Sequence, residues 1–133
     1  MGQEEIERHR VMDFLSGMRN VVVDIDGVVA SLSQEIWTPG SGPAEPLPDA
    51  RRALELLHRA GFRVVLYTAR PSADRQATTD WLKEHRIPFD ELHMDKPRNL
   101  FLVDDRAIRF VSWPDTLKQI RRFQEGLKER LEV

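Results

Sequence analysis

The chain alternates short apolar runs with segments of helical periodicity. Val21-Val22-Val23 is a run of three β-branched residues and predicts a strand buried on both faces. Ala50, Ala53, Leu54 and Leu57 fall on one face of a helix over 49–60, with Gly61 at the position that ends it. Phe62 to Tyr67, centred on Val64-Val65-Leu66, predicts a second strand. Pro71-Ser72 offers an N-cap to a helix whose inner face carries Ala77, Trp81 and His85, and Pro88 lies just beyond its end. Glu91 to Met94 predicts a short strand, and Leu100 to Val103 a clearer one ending at Asp104-Asp105. Trp113-Pro114 opens a last helix over 114–131 with Leu117, Ile120, Phe123, Leu127 and Leu131 facing in. At the other end, Val11, Phe14, Leu15 and Met18 have the spacing of an amphipathic helix within 1–18. Strands alternating with helices predict an α/β fold: a three-layer, Rossmann-like parallel sheet flanked by helices.

The segment 31–48 breaks this alternation. Its second half holds Pro39, Pro43, Pro46 and Pro48 with Gly40 and Gly42, which predicts a flap loop rather than an element. Trp37 is its one large aromatic residue. At 133 residues the chain has the length of one domain, taken as 1–133, and 41% hydrophobic residues suffice for one core. The formal net charge of −2 argues against binding long nucleic acid through bulk charge. The absence of cysteine excludes thiol catalysis and zinc-thiolate sites and suits the cytoplasm. No apolar run approaches the roughly 18 residues that span a bilayer. The first six residues are read neither as a signal peptide nor as a myristoylation site.

In a parallel α/β sheet the site lies at the carboxyl ends of the strands. Those ends carry Asp24 and Asp26, Thr68, Lys96, and Asp104 with Asp105. Residues i and i+2 of an extended strand point to the same side, so Asp24 and Asp26 stand together. Such a concentration of acids needs compensation, and Mg²⁺ supplies it with one or two carboxylates, waters and phosphate oxygens. A carboxylate can attack phosphorus, and a neighbouring one can pass protons to the leaving oxygen and from the attacking water. Thr68 can donate to a phosphoryl oxygen, Lys96 can neutralise the transition state, and Gly27 lets the backbone turn beside the phosphate.

These residues occur in an order that resembles the haloacid dehalogenase (HAD) superfamily of phosphatases. Val22-Val23-Asp24-Ile25-Asp26-Gly27-Val28-Val29 is similar to the first motif of that family. Tyr67-Thr68-Ala69-Arg70-Pro71 resembles the second, Lys96-Pro97 the third, and Leu102-Val103-Asp104-Asp105 the fourth. The resemblance spans roughly 19–113, and within it the stretch from Tyr67 to Trp113 is most similar to small bacterial members associated with capsule and sugar-phosphate metabolism and to polynucleotide-phosphatase-like domains. It implies Asp24 as nucleophile and Asp26 as general acid/base. It also implies Mg²⁺ held by Asp24, the Asp26 carbonyl and Asp104, with Asp105 ligating through water or orienting Lys96. Gly27, Thr68, Ala69, Arg70 and Trp37 are the expected substrate-binding residues. The short spacings leave no room for a cap domain, so a capless member is expected, with 31–48 as its only flap.

The activity expected is Mg²⁺-dependent hydrolysis of a small phosphate monoester, such as a sugar phosphate or nucleotide, through an aspartyl-phosphate. The alternatives are a nucleic-acid 3′-end phosphatase and a non-catalytic interaction protein of the same fold; a homodimer is left open. A signalling receiver domain uses similar residues, but there the acidic pair precedes the lone phosphoacceptor, the reverse of the order here. His9, His58, His85 and His93 have no metal-ligand spacing. The basic residues Lys118, Arg121, Arg122, Lys128 and Arg130 are interleaved with acids, as on a solvated face.

Overall fold

The computed structural model describes residues 2–9, 19–32, 40–98 and 101–131, the last five without their side chains. Three strands, β1 (Asn20–Asp24), β2 (Arg63–Tyr67) and β3 (Glu91–His93), form a parallel sheet in that order. The register pairs Val21 with Val64 and Asp24 with Tyr67, then Val65 with Glu91 and Tyr67 with His93. Helices α1 (Ala50–Arg59), α2 (Arg75–Glu84) and α3 (Trp113–Leu131) flank it.

Each crossover is closed by local chemistry. Helix α1 buries Ala50, Ala53, Leu54 and Leu57, the face its periodicity predicts. Gly61 follows at φ +95°, and Phe62 N–H bonds back to the Leu57 carbonyl at 3.1 Å, an ending that suits glycine. The chain then enters β2, whose Val64, Val65 and Leu66 are buried. Helix α2 buries Thr78, Trp81 and Leu82, and His85 lies against the Trp81 ring at 4.7 Å. The core also takes in Val23, Ile25, Val29, Ala30 and Ile87. Trp113, at the start of α3, packs into it and donates from Nε1 to the Val28 carbonyl at 2.9 Å.

Several expectations change. Residues 101–104 form no strand, and Phe101, Leu102 and Val103 are exposed, Val103 to 96%. A short apolar run does not by itself select a pairing partner. Among the described residues the sheet ends at β1, and Val22 is 62% exposed, so this strand is not buried on both faces as its run of valines predicts. Helix α2 begins at Arg75, after a single 3-10 turn at Ser72–Asp74. Ser72 is not an N-cap because both its N–H and its hydroxyl are turned to Asp95. In α3, Leu117 and Ile120 pack on the core, but Phe123 is exposed, because the helix has by then run past the sheet. Residues 3–9 are helical and exposed, while Val11, Phe14, Leu15 and Met18 lie outside the described residues. No helix among the described residues is long and apolar enough to cross a membrane.

Candidate active site

β1 ends in a tight turn. The buried Ile25 carbonyl accepts the N–H groups of Val28, Val29 and Ala30, and Gly27 N–H bonds to the Ala30 carbonyl at 2.8 Å. Gly27 sits at φ +91°, a conformation that favours glycine, and a Cβ there would stand 3.3 Å from Cγ of the exposed Leu32, which would have to shift slightly. This turn brings Asp24 and Asp26 to one cleft of about 330 Å³, lined also by Ala69, Lys96, Pro97 and Arg98. That volume suits a small ligand.

The end of β2 supplies Thr68, which is fully buried. Its hydroxyl accepts the Arg70 N–H at 3.1 Å, which leaves its own proton to be donated. The β2–α2 loop is laced to the segment after β3. Lys96 N–H bonds to the Thr68 carbonyl at 2.9 Å, and Asp95 N–H to the Arg70 carbonyl at 2.9 Å. Asp95 is in the left-handed region at φ +59°, and its carboxylate takes the Ser72 N–H and hydroxyl. This clamp turns Lys96 into the cleft. Its Nζ stands 4.0 Å from Asp24 Oδ2 and 5.2 Å from the centre of the Tyr67 ring.

Arg70 is the other cation of the cleft. Its Nε and Nη2 each donate to Asp26 at 3.0 Å, a two-pronged pair. In this arrangement the guanidinium is engaged by Asp26. Asp24 has no such fork. Burial pushes its carboxyl above the ordinary carboxylate value; the nearby Asp26 charge adds to the rise, while Lys96 and the Ile25 N–H oppose it.

The acids expected from the fourth motif do not join this site. Asp104 accepts the N–H of Arg106 at 2.7 Å, and Asp105 is exposed with Arg106 at 4.0 Å. Among the described residues no three Asp, Glu or His side chains converge as a metal site. The physical reason is the missing fourth strand: without it, no sheet edge carries Asp104 to Asp24. The Asp26 carboxylate is already taken by Arg70. Of the expected ligands the cleft retains the carboxylate of Asp24, whose side chain is 41% exposed, and the main-chain carbonyl of Asp26. That donor set fits a Mg²⁺ ion held by one carboxylate with waters and phosphate oxygens, and does not fit a four-acid cage. Trp37 lies outside the described residues.

Sequence reasoning missed Asp95, Asp74 and Arg98. The signal for Asp95 was its place directly before Lys96-Pro97. Asp95→Gly keeps the left-handed backbone and its main-chain bonds and removes the carboxylate contacts to Ser72. It is expected to lower kcat/KM on a phosphate ester by about tenfold through a displaced Lys96, with little change in melting temperature. Steady-state kinetics beside a thermal melt check this, and unaltered kinetics would show that the two backbone bonds hold Lys96 without the Asp95 carboxylate.

No family model and no curated protein matches the chain. Two solved structures are similar to it. A protein from Vibrio cholerae is 27% identical, with a TM-score of 0.52 over 68% of this chain and 82% of its own. A conserved protein from Bacteroides thetaiotaomicron is 21% identical, with a TM-score of 0.54 over 77% and 89%. Neither name states an activity, and the second likeness bears on the fold alone. With the topology above, these likenesses make the chain an α/β protein with a parallel three-stranded sheet flanked by helices.

Proposed function

We propose that the chain is a phosphomonoesterase of the HAD type, capless, and dependent on Mg²⁺. The observation that carries this reading is the meeting of Asp24, Asp26 and Lys96 in one cleft, with Thr68 at the next strand end. Their order along the chain is that of the family the motifs resemble.

Asp24 is the group free to attack. Its Oδ forms a bond to phosphorus as the ester P–O bond breaks, and the departing oxygen takes a proton from Asp26, which enters this step in its acid form and leaves it as the carboxylate. Asp26 then removes a proton from the water that attacks the aspartyl-phosphate. This releases phosphate and regenerates Asp24. Lys96 offsets the charge that accumulates on the phosphoryl oxygens, and the Thr68 hydroxyl donates to one of them. Asp24 would hold Mg²⁺, which supplies Lewis-acid polarisation of the phosphoryl group when bound.

The test is hydrolysis of a generic aryl phosphate with and without Mg²⁺. Turnover is expected with Mg²⁺ and is expected to vanish in excess EDTA. Full activity in EDTA would remove the metal from the proposal, and no hydrolysis across a phosphometabolite panel would remove the phosphatase.

A further inference from the structure

The flap leaves and rejoins the fold through a closed base. Ser31 N–H bonds to the Glu45 carbonyl and Leu47 N–H to the Val29 carbonyl, both at 2.8 Å. Its returning arm is fastened again at Gly40–Gly42, against the loop that follows β2. Gly40 N–H donates to Oδ1 of the buried Asp74 at 2.9 Å. Gly42 lies against α2, where an added Cβ would meet the Ala77 carbonyl and Trp81 Cβ at 3.5 Å. Between these two points, the Ser41 carbonyl accepts from Arg70 Nη1 at 3.0 Å.

Arg70 thus has three prongs in use, two on Asp26 and one on the flap arm, and its side chain is only 11% exposed. A guanidinium is planar, so its three contacts share one orientation. We propose that Arg70 is a positioning residue that ties the aim of the Asp26 carboxylate to the seating of the flap arm at Gly40–Ser41. This deepens the phosphatase reading and rests on it. When the arm is seated, the plane of Arg70 is fixed from both ends and Asp26 is held for proton transfer. When the arm lifts, Arg70 loses its outer contact and Asp26 loses its fixed orientation. The arm at Gly40–Ser41 therefore acts on the chemistry through Arg70.

The experiment compares the full-length wild type, Arg70→Ala and Arg70→Lys by aryl-phosphate kinetics with Mg²⁺ and by hydrogen exchange of the 40–44 segment. In Arg70→Ala, kcat is expected to fall about 10²-fold, the scale of a misaligned acid/base, with KM changed less than about threefold. Exchange at 40–44 should quicken. Arg70→Lys keeps the charge but has no fork, and should behave alike; added guanidinium should restore part of the lost kcat in Arg70→Ala. A raised KM with kcat retained would overturn the proposal, since Arg70 would then grip substrate. Unchanged exchange at 40–44 in both variants would overturn the tie to the flap. If the wild type hydrolyses nothing, the phosphatase reading fails, while the exchange result still supports or overturns the tie between Arg70 and the arm.

Discussion

Asp24→Asn is expected to abolish turnover, by on the order of 10³-fold or more, while leaving the protein folded and no less stable at neutral pH. The amide is nearly isosteric but is no nucleophile, so the covalent step has no other route in this cleft. The stability arm follows from the raised carboxyl of Asp24. A group that holds its proton more tightly in the folded chain than in the unfolded one stabilises the fold at low pH. That contribution is complete below the unfolded value and is lost as pH rises through the folded value. At pH 7 the ionised Asp24 is therefore a cost to the metal-free fold, and the neutral amide removes it. Because the Asp24 side chain is partly open to solvent, screening keeps the gain small. The metal-free variant should melt at or slightly above the wild-type temperature at pH 7, with the difference shrinking as pH falls below the raised value. Melts in EDTA at several pH values, beside single-turnover kinetics with Mg²⁺, check both arms. A variant that is folded and fully active would dismiss Asp24 as nucleophile, and one that unfolds would make it a structural residue.

How far the sequence foretold this site depends on the range of the interaction concerned. The strand Val21–Val23, the glycine turn at Gly27 and the face of α1 are local, and periodicity and turn chemistry specify them within a few residues. Lys96 was legible because the β3 connection is short: two backbone bonds from Asp95 and Lys96 to the preceding loop leave it little freedom. Where sequence reasoning went astray, the missing information was the partner. Leu100 to Val103 has the composition of a strand, yet nothing in a four-residue apolar run states which edge will receive it. Its described residues Phe101, Leu102 and Val103 stay exposed beside a sheet that ends at β1. Arg70 shows the same limit at the level of one side chain. An arginine after a strand-end threonine can reach a phosphate or a carboxylate, and only the fold, which places Asp26 within 3.0 Å, decides between them. The acid cluster inferred from four aspartates thereby becomes two aspartates facing Lys96 and Arg70, a site closer to charge balance than the sequence implied.

The largest effect on stability should come from a residue outside the cleft. Trp113 is the largest fully buried side chain, 2% exposed, and it opens α3. Its ring meets Phe110 edge-on at 5.4 Å, and its N–H reaches the Val28 carbonyl, 85 residues away along the chain. Trp113→Ala removes a buried indole and leaves a cavity in the core, at a cost of about 3–5 kcal/mol. It also leaves the partly buried Val28 carbonyl without its indole partner, for about 1 kcal/mol more. For a domain whose total stability is of order 5–15 kcal/mol, that lowers the melting temperature by roughly 10–20 °C. Trp113→Phe separates the two contributions. The ring contact with Phe110 survives in part while the hydrogen bond is lost, so the melt should fall by only a few degrees. Val28 is two residues beyond Asp26, in the turn that sets both aspartates, so this milder variant should still lose activity through a loosened turn. A Trp113→Ala protein that melts within about 3 °C of wild type would show that α3 contributes little to the core. A Trp113→Phe protein with unchanged kcat would show that the turn after β1 holds its shape through the Ile25 carbonyl alone.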